Sequence, residues 1–556
     1  MAKLILKGND QFEEYINDNG YYVDKTELIY ELAAQTRNKV TLFTRPRRFG
    51  KTLAMSMMES FFDIGRNSRA LFEGLNIQKN HQNFCDEWMN RYPVISISFK
   101  DVEGLSFEKA YAMLAGEIAK LCIKHSSLEK NEKTAAADRA VFRRLMYKEA
   151  SEEEIKNSLQ TIMRMLRTVY GVPVILLIDE YDVPLAKAEA SKNQEYYDQM
   201  LDIIRGIMST SLKSNEFLKF AVVTGCLRIS KESIFTGVNN FSCYSVTNRK
   251  FSEYFGFKEG EVREILEQYG LVEKYNLIKE WYDGYIFGDT EIFCPWDVIS
   301  FTAAAIDDEG AQPENYWANT SSNDILNEFV NHDKIDASEK FEILLNGDSI
   351  VEEINEELTY DNIAVSEKNL WSVLLMTGYL SKADKEPVKD KMKLKIPNME
   401  IGRLFRDAVV ERFNRRLDTS LADSFINAMW NRDEENAGKL LTEILWSSIS
   451  YFDYGEDYYH GMLNGIFTSR GYNTDFNDES GLGRLDLMVR DRLKRRTIVL
   501  EFKRAKKDED LSDVCEAAIV QIVKNGYDRN MPEGYEQQLV YGVAFLGKKA
   551  RVKCRR

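Results

Sequence analysis

Apolar residues in this chain recur either in short dense runs or at every third and fourth position, and the two patterns alternate over the first 250 residues. KVTLFT at 39–44 and PVISISF at 93–99 are short β-rich runs, while VPVILLIDEYD at 172–182 is apolar at nearly every early position, as in a strand buried on both faces. KFAVVTG at 219–225 and CYSVT at 243–247 complete the strand set. Leu53, Met57 and Phe61 recur at helical spacing after the first strand, and segments 106–124 and 139–169 keep the same period. Strands alternating with helices predict an α/β domain with a mostly parallel sheet covered on both sides.

From Phe251 the pattern changes to helices and aromatic-rich connections, including FSEYFGFKEGEVREIL and IKEWYDGYIFG, which read as a helical lid. LWSVLLMTGYLSKAD followed by KMKLKIPN predicts a helix and then a two-stranded hairpin, a pattern compatible with a winged helix. Helices fill 399–450. GLGRLDLMVRD and RRTIVLEFKRA then read as paired strands before the helix DVCEAAIVQIVKN. The expected domains are a core over 1–250, a lid over 251–360, a helical and winged-helix region over 361–450, and a second α/β domain over 451–556. Trp281, Tyr282, Tyr285 and Trp317 are read as packed core residues rather than a stacking platform.

A length of 556 residues exceeds one ordinary hydrophobic core. With 44% hydrophobic residues, only 9 prolines and no low-complexity tract, the chain reads as folded throughout. A formal charge of −15 argues against a protein that coats nucleic acid non-specifically, yet RDRLKRR around Arg492 and KKARVKCRR at the C-terminus are local basic stretches. The 7 cysteines are scattered without a CxxC pair, which favours free thiols in a reducing compartment. No run approaches the roughly 20 apolar residues of a membrane span. A cytoplasmic protein without membrane association is therefore expected, and the sequence is compatible with a homo-oligomer.

Chemistry first enters at Arg45-Pro46-Arg47-Arg48-Phe49-Gly50-Lys51-Thr52, which fits the phosphate-loop pattern GxxxxGK[ST] except that arginine replaces the first glycine. Gly50 lets the backbone approach phosphates, Lys51 is placed to reach the β- and γ-phosphates, and Thr52 to ligate Mg2+ at a helix start where free N–H groups favour anions. The missing glycine alters loop geometry more than charge. Arg47 and Arg48 add positive charge beside the phosphates. A second signal is Asp179-Glu180 at the end of an apolar strand: Asp179 to hold Mg2+ through water and Glu180 to polarise the attacking water. Thr224 ends another apolar strand and is placed to sense the γ-phosphate, with Arg228 beyond it to offset transition-state charge. Taken singly, GKT is an ordinary helix start and DE an exposed strand end; their joint order along the sheet is what points to ATP.

RPRRFGKT, LLIDEYDVPL, VTGCLRISKESIFTGVNNF, FGFKEGEV and WYDGYIFG, with YVDKT before the loop, together resemble the AAA-ATPase-like family of bacterial proteins that often carry a C-terminal PD-(D/E)XK nuclease-like domain. The resemblance covers most of the chain and implies that Arg45 is a family variant of the loop, counted with its neighbours among the nucleotide-binding residues. The fold it implies is an α/β P-loop NTPase sheet of the ASCE/AAA-like type with a helical lid and a winged helix, followed by an α/β nuclease-like domain.

In the C-terminal domain Asp486 lies in GRLDLMV, and Glu501 and Lys503 in IVLEFK, two apart on a strand and so on one face. Two acids and a lysine converging on one spot suit Mg2+-dependent phosphodiester hydrolysis. ExK alone is a weak motif and is usually a solvated strand face. The set resembles the PD-(D/E)XK signature, with Leu485 where the proline stands. The resemblance also implies roles for Glu479 as an additional acid and Gln521 as a helix-borne partner, with His460 nearby, although a structural histidine is the simpler reading for the last. The sequence thus predicts ATP-controlled, Mg2+-dependent cleavage of nucleic acid, DNA before RNA. The alternative is an ATP-dependent switch whose C-terminal domain binds nucleic acid or a protein without cutting.

Overall fold

The computed structural model describes the whole chain except residues 1–2, 36–37, 229–234, 236–240, 318–325, 327–337, 359–365, 386–389, 449–455, 481–482, 507, 528–531, 533 and 556. It divides into two compact units, Met1–Ser321 with Val351–Glu400, and Ser322–Ile350 with Ile401–Arg556.

The first unit is built on β1 (Val40–Thr44), β2 (Val94–Ser98), β3 (Val174–Asp179), β4 (Leu218–Gly225) and β5 (Phe241–Tyr244). They form one sheet in the order β2-β3-β4-β1-β5, every pair parallel. All residues of β1 and β3 are buried, as expected for strands covered on both faces. Each Val, Leu or Ile so removed from water contributes about 1.5–3 kcal/mol before entropy is counted. The order matters for function because β4 is inserted between β1 and β3. The loop after β1, the acids ending β3 and the threonine near the end of β4 therefore open on one edge of the sheet.

Residues 252–321 and 351–400 stay in this unit. Helices Glu259–Tyr269, Tyr275–Tyr282 and Pro295–Asp307 share a core that includes Ile265, Trp281, Tyr282 and Phe301. A small hairpin, β6 (Tyr285–Phe287) with β7 (Thr290–Ile292), lies among them. Helix Glu367–Thr377 leads into a three-stranded sheet of β8 (Ile350–Glu352), β9 (Ser381–Lys382) and β10 (Met392–Lys395), order β8-β10-β9, with β9 and β10 antiparallel.

The second unit contains β11 (Asn473–Ser480), β12 (Gly483–Asp491), β13 (Arg496–Arg504), β14 (Gln537–Leu546) and β15 (Lys549–Cys554), adjacent in that order. Only β13 and β14 pair in parallel. Their crossover is helix Leu511–Asn525, whose N-terminus is capped by the Asp510 carboxylate accepting the Ser512 N–H at 2.7 Å. The other face of the sheet, with Leu487, Leu500 and Phe502, is covered by helices Thr419–Trp430, Glu434–Ser448 and Glu456–Thr468. The helix crosses β14 at Gly542, where any Cβ would lie 2.1 Å from the Cys515 carbonyl oxygen. All seven cysteines are free, and no described helix is long and apolar enough to cross a membrane.

Candidate functional site

The loop after β1 turns into helix Lys51–Phe62 at Gly50, whose φ of 83° is a left-handed conformation that glycine adopts without steric cost. Lys51, 3% exposed, begins that helix. Its Nζ donates to the carbonyl oxygens of Arg45 at 3.1 Å and Pro46 at 3.0 Å, and lies 3.3 Å from Glu180 Oε1. One residue on, Thr52 Oγ1 donates to Asp179 Oδ2 at 2.8 Å. Thr224 Oγ1 donates to the other oxygen of the same carboxylate, Oδ1. The inserted β4 thus brings Thr52, Asp179 and Thr224 into one cluster.

Glu180 has a φ of 51°, a left-handed conformation that costs a non-glycine residue on the order of 1–3 kcal/mol and is concentrated at functional sites. Its Oε2 is buried with no hydrogen-bond partner among the described residues. Burial, with Glu180 alongside, pushes the Asp179 carboxyl above the usual range, against the hydrogen bonds from Thr224 and Thr52 and the charge of Lys51. Burial alone would push Lys51 down, but Cys226 and the carboxylates of Glu180, Asp179 and Asp182 together hold it above its ordinary value. The Cys226 thiol is itself pushed up to about 12, chiefly by burial, so at neutral pH the carboxylates supply that support. Three acids face one ammonium here. The three acids are not placed to hold a metal together, and the oxygens of Thr52 and Asp179 are the hard donors here of the kind Mg2+ takes.

Beside the cluster opens a cavity of about 360 Å³ that reaches from Gly50, Lys51, Thr52 and Glu180 to Tyr22 and Trp296. One end is polar and cationic, the other aromatic, which suits a nucleoside triphosphate.

The arginines differ from expectation. The sequence places Arg45 beside the phosphates, whereas the structure turns its guanidinium into the protein, fully buried. Nη1 donates to the carbonyls of Thr44 at 2.9 Å and Tyr244 at 2.8 Å, and Nη2 to that of Phe251 at 3.3 Å. Phe255 and Phe287 flank it, and burial lowers its pKa to about 9. Arg45 therefore offers its backbone carbonyl to Lys51, and its side chain ties β1 to β5 and the segment beyond. Arg48 lines the cavity but donates to the carbonyls of Tyr316 at 2.7 Å and Trp317 at 2.9 Å. Arg228 pairs with Glu357 at 3.4 Å instead of meeting the Asp179 cluster. Arg47 keeps its place in the loop, between Pro46 and Arg48.

Two residues passed over in the sequence also belong here. Asp182 Oδ2 accepts the N–H groups of Cys226 at 2.9 Å and Leu227 at 3.0 Å, and Tyr181 OH donates to the Leu227 carbonyl at 2.8 Å. They fix the chain leaving β4, just past Thr224. The signal was the second half of DEYD, read only for its first two acids.

In the second unit Met488 and Val499 pack toward helix Leu511–Asn525 with Ile522. Alternation along β12 and β13 puts Asp486, Glu501 and Lys503 on that same face. The pairing of Leu487 with Leu500, continued by one step, sets Asp486 opposite Glu501. Gln521, on the helix, bridges the set: its Oε1 accepts from Lys503 Nζ at 2.7 Å and its Nε2 donates to Glu501 Oε1. Asp486 Oδ2 accepts the Phe502 N–H at 2.8 Å and lies 3.7 Å from His460 Nε2. The His460 ring also rests on Phe502, with centroids 4.7 Å apart. Glu479 is on β11, in register with Arg484; its side chain lies outside the described residues. Among the described residues no group of three or more His, Cys, Asp or Glu is placed to hold a metal. The donors at hand are the carboxylates of Asp486 and Glu501, hard oxygens of the kind Mg2+ takes.

The parallel five-stranded sheet of the first unit, with a strand inserted between the phosphate loop and the acid pair, is consistent with a P-loop NTPase, and the mixed sheet of the second with a PD-(D/E)XK domain. Comparison with known families agrees: residues 7–235 match the family described as predicted AAA-ATPase, and residues 454–555 match the PD-(D/E)XK nuclease superfamily. The chain is thus AAA-ATPase-like in its N-terminal region and a member of the PD-(D/E)XK nuclease superfamily in its C-terminal domain. It is also similar to an "Uncharacterized protein in vnfD 5'region" of Azotobacter chroococcum mcd 1, with 23% identity over 485 residues, 85% of this chain and 84% of that one.

Proposed function

We propose that the first unit binds and hydrolyses ATP and that this cycle controls a Mg2+-dependent nuclease in the second unit, acting on DNA. The observation that carries the reading is the convergence of Thr52 and Thr224 on one carboxylate, Asp179, with Lys51 and Glu180 in contact beside it. In this reading Lys51 leaves the carbonyls of Arg45 and Pro46 for the β- and γ-phosphates, so the arriving triphosphate replaces its ion pair with Glu180. Glu180 is then released to accept a proton from the attacking water. Thr52 and Asp179 would hold the metal, and Thr224 relays the state of the γ-phosphate to the chain that Asp182 anchors.

In the second unit Asp486 and Glu501 would hold the metal, while Lys503 places its charge where it builds up on the scissile phosphate. Gln521 keeps Lys503 and Glu501 in register, and His460 supports Asp486. Bound Mg2+ lowers the pKa of its water and offsets phosphate charge.

A plasmid and a linear duplex incubated with protein and Mg2+ or Mn2+ test this reading. The wild type is expected to cut at least one of them and Asp486→Ala neither. No cleavage by the wild type, or equal cleavage by the variant, contradicts it. ATP-dependent change in protease sensitivity without cleavage would favour a switch that binds and does not cut.

A further inference from the structure

We propose that a basic pocket at the β9–β10 hairpin of the first unit binds the phosphodiester backbone of a nucleic acid duplex, a contact separate from both sites above. The pocket, about 190 Å³, is lined by four cations, Arg249, Lys382, Lys385 and Lys393, and by one carboxylate, Asp384. Asp289 and Glu291 pair with two of these cations from outside the lining, which leaves a net excess of one positive charge in a chain of net charge −15.

The floor is built rather than incidental. Lys382 is 7% exposed and donates its Nζ to the carbonyl of Gly288. Gly288, at a φ of 56°, has no room for a Cβ, which would lie 2.6 Å from Arg249 Cα, so the β6–β7 turn is pressed against the Arg249 segment. Its N–H donates to the Val246 carbonyl at 2.8 Å.

The rim is different in kind. Arg249 lies 3.3 Å from Asp289, Lys385 3.3 Å from Glu291 and Lys393 3.5 Å from Asp384, with all six side chains at least 40% exposed. Exposed pairs at such distances are weak and exchange readily for a doubly coordinated phosphate. Thr247, at the pocket wall, is hydrogen-bonded to Glu356 and adds no charge.

Two features point to a polymer. Leu394 is fully buried, so Lys391, Lys393 and Lys395 alternate onto the face opposite it. A two-residue strand step rises about 6.6 Å, close to two base-pair rises of about 3.4 Å each. These lysines therefore step along a phosphate backbone beyond what a single phosphate could use. No aromatic side chain lines the pocket, so a stacked single strand has no platform there.

The test is fluorescence anisotropy of a short labelled duplex with the full chain in EDTA, which removes metal-dependent cleavage. Lys385→Gln combined with Lys393→Gln is expected to weaken binding about tenfold at low salt and to reduce the slope of log K against log salt by about 2. ATP hydrolysis and melting temperature should not change. If the double variant melts early, Lys395→Gln alone is read, with a slope reduced by about 1. Unchanged affinity and slope, or a wild type that binds inorganic phosphate and not duplex, overturns the proposal. Asp486→Ala retains duplex binding in this account, so the failure of cleavage and the failure of the hairpin contact are told apart.

Discussion

Lys51 carries a positive charge into a nearly closed site, and its charge persists because three carboxylates outweigh the penalty of burial. A second buried group, outside the catalytic set, behaves in the opposite sense. Burial, with Asp297 beside it, pushes the Glu400 carboxyl from 4.5 up to about 9, against the Trp317 N–H that it accepts at 2.6 Å. An acid whose folded pKa is raised binds more protons folded than unfolded, so its contribution is full below about 4.5 and is lost as pH rises toward 9. Glu400→Gln, a neutral mimic, is expected to flatten the fall in melting temperature between those limits and to melt higher than the wild type at the alkaline end. Equal slopes in a melting series against pH would show that Glu400 ionises freely. Arg45 shows the limit of reading single residues. Its charge was visible in the sequence, but two of the three carbonyls that hold it, those of Tyr244 and Phe251, lie 199 and 206 residues further along the chain, so its direction was not.

The central strands of the first sheet were legible because both faces are buried and the apolar runs are continuous: the expected run at 172–182 contains β3, that at 219–225 is β4 within a residue, whereas the half-buried β5 at Phe241–Tyr244 overlaps the expected run at 243–247 by only two residues. Their spatial order was not legible, since a local pattern carries no information on which strands pair. The meeting of Thr52 with Thr224 at Asp179 depends on that order. The same holds for Gln521: its place on a helix was readable, but its bridge between Lys503 and Glu501 requires the helix to lie close on the sheet. Gly542 permits that approach. Gly542→Ala is expected to push helix Leu511–Asn525 outward, destabilising the second unit by about 1–3 kcal/mol and lengthening the Gln521 contacts. Denaturant melts and cleavage rates measure both effects, and a variant with wild-type stability would mean the helix moves aside without strain.

At the scale of the whole molecule, both units place a lysine beside carboxylates and let neutral oxygens accept from it, carbonyls for Lys51, which also pairs with Glu180, and an amide for Lys503. The first group governs the second in the present account, so everything rests on a triphosphate displacing Lys51 from its resting contacts. A ligand that binds the folded chain stabilises it by RT ln(1 + [L]/Kd), about 2.7 kcal/mol at a hundredfold excess over Kd. The direct measurement is the melting temperature of the wild type and of Lys51→Ala across an ATP titration in Mg2+. A rise in the wild type that is absent in the variant is the predicted result; no rise in either, or the same rise in both, contradicts the account.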